Sequence, residues 1–228
     1  MLTVACVLKS GGDYFPEYVK VLQRHVEKNL TLPHRFVCLS DLDNLPCEVI
    51  PLKHNLPGWW SKLELFDLTG PVLYFDLDTV ILGSLHELVL TITEETNAFY
   101  MLRGWKRDIW TSMFMAWNGD FSNIKETFLD LAATGKYKEI GAALYFISDK
   151  VSYRGDQDFL FPTCNKLEIP VKIIQNIYTG VFSFKHHCTK GIPLDARVVC
   201  FHGLPRPHQA AKTIPWVRDY WNVKELAA

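Results

Sequence analysis

The sequence lacks the features of membrane-spanning, disulfide-stabilised and strongly basic proteins. No apolar run in its 228 residues approaches the roughly 20 residues that cross a bilayer. Its six cysteines are scattered and form no C-x-x-C pair, which argues against a zinc ribbon or a redox dithiol. The 24 Lys plus Arg residues nearly balance the 25 Asp plus Glu residues, so net charge gives no reason to expect nucleic acid or an acidic membrane as a partner.

The chain also lacks a basic leader with a cleavage site, internal repeats and low-complexity linkers. We therefore expect a protein of the reducing cytoplasm with no membrane span, folded as a single domain over residues 1–228. A hydrophobic content of 48% is enough for a sizeable core without a disulfide or a structural metal.

Apolar patterning predicts the order β-α-β-β-α-β in the first third of the chain. The predicted elements are strand Leu2–Leu8, a helix that is capped by Asp13 and has its apolar stripe from Tyr14 to Val26, strands Arg35–Leu39 and Glu48–Leu52, helix Trp59–Leu68 and strand Val72–Phe75. The last strand is apolar at successive positions, which indicates a central strand covered on both faces. This order favours an α/β sheet with ligands at the carboxyl ends of its strands.

The second half is less regular, but it still indicates strands and a helix. The predicted elements are strands Ala98–Leu102, Met113–Trp117, Val171–Ile174, Tyr178–Phe184 and Arg197–Phe201, and a helix that follows Asp120. No linker separates the two halves, which supports a single domain.

Two carboxylates, Asp76 and Asp78, follow directly on the predicted central strand. The period of two along a strand places both on one side. Neighbouring carboxylates repel each other, and a hard divalent cation keeps both ionised while leaving positions free for phosphate oxygens. The pair therefore predicts a metal–phosphate site, with capping or solvated turn aspartates as the structural alternative.

One enzyme family with carboxylates at this position is the haloacid-dehalogenase-like phosphatases. The string FDLDTV resembles their first motif, which would make Asp76 a nucleophile and Asp78 a general acid/base. Their nucleophile normally ends the first strand of the fold, whereas here a β-α-β-β-α stretch precedes Asp76. The phosphatase is therefore the second hypothesis.

Several segments of the chain resemble the metal-dependent GT-A glycosyltransferases and occur in the same order as in that family. The resemblance is strongest to the branch with glycogenin and the bacterial lipooligosaccharide galactosyltransferases. The segments are TVACVLKSGG, GWWSKLELFDL, YFDLDTVILGSL and the late pair GDQDFL and FHGLPRPH. The resemblance covers most of the chain. It implies a Rossmann-like GT-A domain with a central, mostly parallel mixed sheet flanked by helices, in which residues 1–80 bind the nucleotide and residues 81–228 bind the sugar and the acceptor.

The same resemblance implies that the acidic pair binds Mn²⁺ or Mg²⁺ and that the tail supplies a third ligand. With Gly203 and Arg206 aligned on the family's H-x-x-G-x-x-K-P-W motif, the histidine position holds Cys200. His202 faces the same way as Cys200 on a strand, and we expect His202 to be the ligand, with local hydrogen bonding as its alternative. Arg206 replaces the lysine that meets the diphosphate and can act as a bidentate clamp.

Donor-binding residues are indicated near the nucleotide half. Lys9 and Ser10 follow the first strand and Asp41 follows the second, where an α/β sheet presents groups to a nucleotide. Ordinary turn and cap roles are as plausible for Ser10 and Asp41. Lys62 matches a basic residue that the family places beside the donor, with a solvated surface lysine as the alternative.

Sugar-binding residues are implied by two further segments. Asp156 and Gln157 match the family's D-Q-D segment, in which the first Asp binds the donor sugar and the Gln lies beneath the anomeric carbon. Thr111 and Ser112 fall where the family typically has N-A-G or N-S-G. The hydroxyl of Thr111 could still bond a sugar, in an altered pocket that leaves the donor sugar undefined.

The predicted function is therefore transfer of a sugar, with retention of configuration, from a nucleoside diphosphate sugar that we expect to be UDP-linked. Mixed carboxylate and imidazole ligation favours Mn²⁺. The acceptor stays open between a glycan, a small molecule and a modified base in DNA. The patch of Arg103, Trp105, Lys106 and Arg107 could hold an anionic acceptor or form an ordinary solvated loop. A domain that binds nucleotide sugar or glycan without turnover is a further hypothesis.

Overall fold

The computed structural model describes residues 1–105, 109–140, 143–148 and 151–221. Its strands are β1 (Leu2–Leu8), β2 (His34–Ser40), β3 (Glu48–Pro51), β4 (Gly70–Phe75), β5 (Thr79–Ile81), β6 (Ala98–Arg103), β7 (Trp110–Gly119), β8 (Tyr137–Ile140), β9 (Ala143–Ser148), β10 (Val151–Tyr153), β11 (Val171–Ile173), β12 (Val181–Ser183) and β13 (Val198–Cys200). Its α-helices are α1 (Pro16–Asn29), α2 (His86–Glu94), α3 (Ser122–Ala133), α4 (Asp156–Lys166), α5 (Ile174–Ile177), α6 (Pro207–Ala210) and α7 (Pro215–Tyr220). A 3-10 segment covers Gly58–Asp67, and a π-helical turn covers Phe184–Cys188. Among the described helices, none has the length and apolar content to cross a membrane.

The largest sheet contains seven of the described strands in the order β11-β6-β7-β4-β1-β2-β3. The pairs β1–β2, β1–β4, β2–β3 and β11–β6 are parallel, whereas β7 runs antiparallel to both β4 and β6. The sheet is therefore mixed and mostly parallel, as predicted. Because β1, β2 and β4 run in the same direction, their carboxyl ends meet at one edge of the sheet.

Both faces of the central strands are covered. On β4, the side chains of Leu73 and Phe75 join a core that includes α1 and α2, while Val72 and Tyr74 join the core on the opposite face, with the 3-10 segment, α3 and α4. All four residues are at most 1% exposed. This alternation confirms the prediction of a central strand buried on both sides.

Two smaller sheets bring distant segments to the edge where the central strands end. In the sheet β12-β13-β5, Cys200 pairs with Thr79, which places the segment after residue 200 beside the turn that holds the acidic pair. The antiparallel sheet β10-β9-β8 was not predicted, because the residues of β8 are all exposed and show no apolar alternation.

Two local predictions are wrong. Phe15, not Asp13, occupies the position before α1, and no side chain caps that helix. Asp13 instead forms an ion pair with Arg206, whose Nη2 lies 2.9 Å from its carboxylate. The strand predicted over Tyr178–Phe184 is limited to β12, because the chain turns at Phe184 and stacks that ring on Phe201 in the core.

His25 on α1 provides a testable dependence of stability on pH. The side chain is 3% exposed, its Nε2 hydrogen-bonds to the carbonyl of Tyr220 at 3.0 Å, and burial lowers its pKa to about 4. In the unfolded chain the pKa is about 6.5, so between pH 4 and 6.5 the unfolded state binds more protons than the folded state.

The free energy of unfolding should therefore fall by up to about 3 kcal/mol as the pH drops from 6.5 to 4. Denaturant melts of the parent and His25→Gln across this range test it. His25→Gln should lose this part of the pH dependence, whereas His54→Gln, at an exposed histidine, should keep it. The same slope in both variants would show that His25 is not responsible.

Candidate active site at the carboxyl ends of the strands

A cleft of about 870 Å³ lies at the edge where β1 and β4 end. Its described lining comes from the loop after β1, the 3-10 segment, the end of β4, Met113 on β7, the residues Ile140, Ala143 and Tyr145 of β8 and β9, the start of α4 and the segment after β13. Of the site residues predicted from sequence, it is lined by Lys9, Ser10, Lys62, Asp76, Asp78, Asp156, Gln157, His202, Gly203 and Arg206. The fold therefore gathers predicted residues that are up to 197 positions apart in the chain (206 minus 9).

Asp76 is the first residue after β4. Its backbone N–H donates to the carbonyl of Met113 on β7, so that the sheet's hydrogen bonding continues to this residue. Its carboxylate accepts hydrogen bonds from the ammonium of Lys62, at 2.7 Å, and from the hydroxyl of Tyr74. Two donors therefore hold the carboxylate in a fixed orientation.

Asp78 is 1% exposed, and only one of its two carboxylate oxygens has hydrogen-bond partners. Oδ2 accepts hydrogen bonds from the Tyr14 hydroxyl at 2.7 Å and from Nη1 of Arg206 at 2.9 Å. Oδ1 is buried without a hydrogen-bond partner in the described structure. Burial, with the nearby charge of Asp76, raises the pKa of Asp78. A buried carboxylate oxygen without a donor is costly, and a divalent cation would satisfy it.

Lys62 links the acidic pair to the start of α4. Its ammonium lies 2.7 Å from Asp76 and 3.5 Å from Asp156, and its side chain is 15% exposed. Burial alone would lower the pKa of Lys62, but the charges of Asp156 and Asp76 outweigh it and raise the pKa. The lysine is therefore a fixed cation between two carboxylates, not a solvated surface residue.

Asp156 begins α4 and is 3% exposed. Besides the contact with Lys62, it accepts a hydrogen bond from the hydroxyl of Ser112 on β7. Gln157 follows it and lines the cleft, half-buried. Asp158, on the first turn of α4, accepts the N–H of Arg154 just before the helix.

The loop after β1 is tied to the end of β2. Asp41 accepts the N–H and hydroxyl of Ser10 and the ammonium of Lys9, at 2.8, 2.6 and 2.8 Å. Lys9 also donates to Asn55. Burial opposes ionisation of Asp41, but these hydrogen bonds outweigh it and lower its pKa. Asp41 does not line the cleft in the described structure; it orients Lys9 and Ser10, which do.

The two candidates for a third metal ligand occupy different surroundings. Cys200 is fully buried in the core and is not among the described residues that line the cleft, and burial with the charges of Asp76 and Asp78 raises its pKa. His202 is half-buried and lines the cleft, and its Nε2 hydrogen-bonds to the hydroxyl of Ser183 at 2.8 Å. Burial lowers the pKa of His202, which favours the neutral imidazole that binds metals.

The acidic pair and His202 do not form a ready-made metal site. Across residues 1–105, 109–140, 143–148 and 151–221, no group of three His, Cys, Asp or Glu side chains is arranged to hold a metal ion. The guanidinium of Arg206 instead bridges Asp78 and Asp13, with 2.9 Å to each carboxylate, and lies over the ring of Tyr14. Two cations, Lys62 and Arg206, thus compensate the charge of the acidic pair.

Other predicted residues lie away from the cleft wall. Thr111 and Ser112 are 4% and 0% exposed, and Ser112 supports Asp156 from behind. In the basic patch, Trp105 packs near His187, and Arg103 makes backbone hydrogen bonds to Gln175. The remaining patch residues, Lys106 and Arg107, are outside the described residues.

Sequence reasoning missed the aromatic residues of the cleft, among them Tyr14, Tyr74 and Trp59. Tyr14 and Tyr74 donate to the acidic pair, and Trp59 lies on the wall near Gly155. Tyr74 precedes Asp76 by two residues, so strand periodicity contained a signal that both face the same side. Nothing in the sequence distinguishes Trp59, which is 46% exposed, from its neighbour Trp60, which is 1% exposed.

No protein-family model matches the sequence, and no curated protein matches it either. Solved structures do resemble the fold. They include the bifunctional glycosyltransferase WbbM in its apo form, with 11% identity and a TM-score of 0.59 over 97% of this chain and 51% of that one. The glycosyltransferase GlyE of Streptococcus pneumoniae TIGR4 has 12% identity and a TM-score of 0.63 over 97% of this chain and 59% of that one.

The galactosyltransferase LgtC, solved with donor and acceptor sugar analogues, has 13% identity and a TM-score of 0.58 over 97% of this chain and 94% of that one. The chain thus spans between half and three-fifths of WbbM and GlyE, and nearly all of LgtC. At these identities the likeness establishes the fold alone, and it confirms the predicted α/β fold with a central, mostly parallel mixed sheet.

Proposed function

We propose that this chain is a glycosyltransferase that moves a sugar from a nucleoside diphosphate sugar, with UDP as the expected nucleotide, to an acceptor hydroxyl. The observation that carries the proposal is the unpartnered Oδ1 of Asp78, buried beside a second carboxylate at the end of β4 in a large cleft. Asp78 could hold a divalent cation through this oxygen, and such a cation would supply positive charge for a diphosphate; the fold shared with solved glycosyltransferases supports the proposal.

The ligand types, though not yet their arrangement, suit Mn²⁺ or Mg²⁺. Asp76, Asp78 and His202 would hold the ion, and this mixture of carboxylate and imidazole favours Mn²⁺. When bound, the ion would polarise the diphosphate and stabilise the charge on the leaving group. Arg206 can exchange its contact with Asp78 for a phosphate oxygen, because its guanidinium has donors suited to either anion.

The remaining donor contacts come from both parts of the chain. Lys9 and Ser10, oriented by Asp41, are available to the nucleoside. Asp156 and Gln157 are available to the sugar, with Asp156 held by Ser112 and Lys62; a direct contact of Thr111 with the sugar remains a prediction. Since one cleft draws on residues 1–80 and residues 81–228, we also propose that the whole chain acts as one catalytic domain.

The transfer exchanges one bond for another at the anomeric carbon. An acceptor oxygen bonds to this carbon as the bond from the carbon to the diphosphate oxygen breaks. The electron pair of the broken bond leaves with the nucleoside diphosphate, which also takes the proton of the acceptor hydroxyl. Because the leaving group serves as the base, no protein carboxylate is needed for that step, and we expect retention of the anomeric configuration.

The test is nucleotide release from sugar donors without an acceptor. The chain is incubated with UDP-, GDP- and CDP-sugars in Mn²⁺, in Mg²⁺ and in EDTA, and the free nucleoside diphosphate is measured. We expect UDP release that requires the metal. Phosphate release from phosphomonoesters in its place would favour the phosphatase hypothesis, and donor binding without release would favour a non-catalytic binder.

The third metal ligand can be tested separately. His202→Ala should raise the Mn²⁺ concentration for half-maximal activity by about tenfold or more, because an imidazole would leave the coordination shell. Cys200→Ala should not change this concentration, since Cys200 lies in the core. A metal titration of UDP release measures both. A shift for Cys200→Ala with none for His202→Ala would reverse the assignment.

A further inference from the structure

Trp59 is an exposed aromatic side chain on the wall of the cleft. The two tryptophans of the 3-10 segment diverge: Trp60 is buried and stacks on Phe128 with ring centroids 4.8 Å apart, whereas Trp59 is 46% exposed and lines the cleft. Burial of Trp60 therefore fixes the backbone from which Trp59 projects. An indole left this exposed in a cleft is typical of a ligand-binding surface.

The position of the Trp59 ring depends on a glycine at the start of α4. A Cβ at Gly155 would lie 2.8 Å from Nε1 of Trp59, closer than a side chain tolerates. Gly155 has an extended backbone with φ −168°, which any residue can adopt, so the indole is the group that would have to move to make room for a side chain here. The ring thus lies against Gly155, the residue that precedes Asp156 and Gln157, and all four residues line the cleft.

The surroundings of Trp59 combine apolar surface with carboxylates. Ile140, 51% exposed, and the half-buried Tyr145 line the cleft as well, on the sheet β8-β9-β10. The Asp158 carboxylate is 44% exposed on the first turn of α4. A sugar ring matches this combination, because its C–H face packs on an aromatic ring while its hydroxyls donate to carboxylates.

We propose that Trp59 is the stacking surface for the acceptor and that the acceptor is an uncharged sugar. This rests on the proposed function. The donor sugar is assigned to the buried carboxylate of Asp156, whereas Trp59, Ile140 and Tyr145 form the outer part of the same wall, where a second substrate enters. Among the described residues that line this part of the cleft, Arg154 is the cation, and Asp158 lies 3.8 Å from it; Lys138, which lies over the Tyr145 ring, does not line the cleft. This balance of charge at the cleft surface suits a neutral ligand better than a nucleic acid.

The experiment measures the kinetics of both substrates separately. Acceptor probes are the methyl glycosides of glucose and galactose and a single-stranded oligonucleotide with 5-hydroxymethylcytosine. For the parent we expect transfer to a methyl glycoside. Trp59→Ala should raise the acceptor KM about tenfold, the loss expected for one aromatic stacking surface, and change the donor KM by less than about threefold. Trp59→Tyr should restore most of the loss.

Two further variants test whether acceptor binding depends on the position of the Trp59 ring. Gly155→Ala keeps the indole but displaces it, so its acceptor KM should rise as well. Tyr137→Ala, an aromatic of the same small sheet that is 54% exposed and does not line the cleft, should leave both KM values unchanged. Melting temperatures verify that each variant is folded.

The outcomes separate this inference from the proposed function. If the parent releases no nucleotide from any donor, the proposed function fails. If it releases nucleotide but transfers sugar only to the oligonucleotide, or if Trp59→Ala leaves the acceptor KM for a methyl glycoside unchanged, the assignment of Trp59 to an uncharged sugar acceptor is overturned.

Discussion

Replacing Asp78 with asparagine is expected to lower turnover by about 10³-fold or more and to leave the chain folded. The change removes the charge from the buried carboxylate whose Oδ1 has no partner, which on our account is a ligand of the catalytic cation. Losing such charge stabilisation costs about 4 kcal/mol or more of the activation free energy. Initial rates of metal-dependent UDP release measure the effect.

The stability of the same variant should change little. Asp78→Asn weakens the ion pair with Arg206 but also removes repulsion from Asp76, so we expect the free energy of unfolding without metal to change by no more than about 1 kcal/mol. Asp195→Asn, at an exposed position, is the matched carboxylate-to-amide control for turnover. Full activity of Asp78→Asn would refute the metal assignment, and a large loss of stability would instead indicate a structural role.

Replacing Lys62 with methionine is expected to lower the free energy of unfolding by about 3–5 kcal/mol and to abolish turnover. The methionine fills a similar volume but leaves Asp76 and Asp156 without their shared cation, and an uncompensated buried carboxylate is strongly destabilising. Urea unfolding of the parent and the variant measures the loss. Lys125→Met, which removes the partly buried partner of Asp67 outside the cleft, is the control for turnover.

The stability lost in Lys62→Met should depend on pH in a defined direction. Burial raises the pKa of Asp156, and Lys62 opposes that rise. Without Lys62 the pKa of Asp156 in the folded state should rise further above its unfolded value, so the variant should recover stability relative to the parent as the pH falls and lose it as the pH rises. Adding Asp156→Asn should restore part of the loss at pH 7, and strictly additive effects would show that the two residues do not interact.

The parts of the fold that the sequence predicted are those governed by local apolar patterning. The strands around Val4 and Leu73 are apolar at successive positions because the sheet is covered on both faces, and that pattern is visible without a structure. The position of Asp76 at the end of such a strand then follows from the order of the elements. In the sheet β8-β9-β10, β8 was missed because its residues are all exposed and carry no periodic signal.

Local apolar patterning could not predict the contacts that the site makes between residues far apart in the chain. Lys62 and Asp156 lie 94 residues apart, and their pairing depends on how α4 packs against the 3-10 segment. The resemblance to known motifs indicated that both belong near the donor, but not that Lys62 neutralises two carboxylates. Similarly, Ser112 was predicted beside the sugar, whereas its hydroxyl supports Asp156 from the buried side.

A crystal structure with Mn²⁺ and UDP would test directly whether Asp78 holds a divalent cation in the cleft. The anomalous scattering of manganese would locate the metal. We predict one manganese peak in the cleft, bound by Oδ1 of Asp78 and bridging to the diphosphate, with Arg206 moved from Asp78 to a phosphate oxygen. UDP bound in the cleft without a metal at Asp78, or a manganese ion bound elsewhere, would contradict the assignment of Asp78 as a metal ligand.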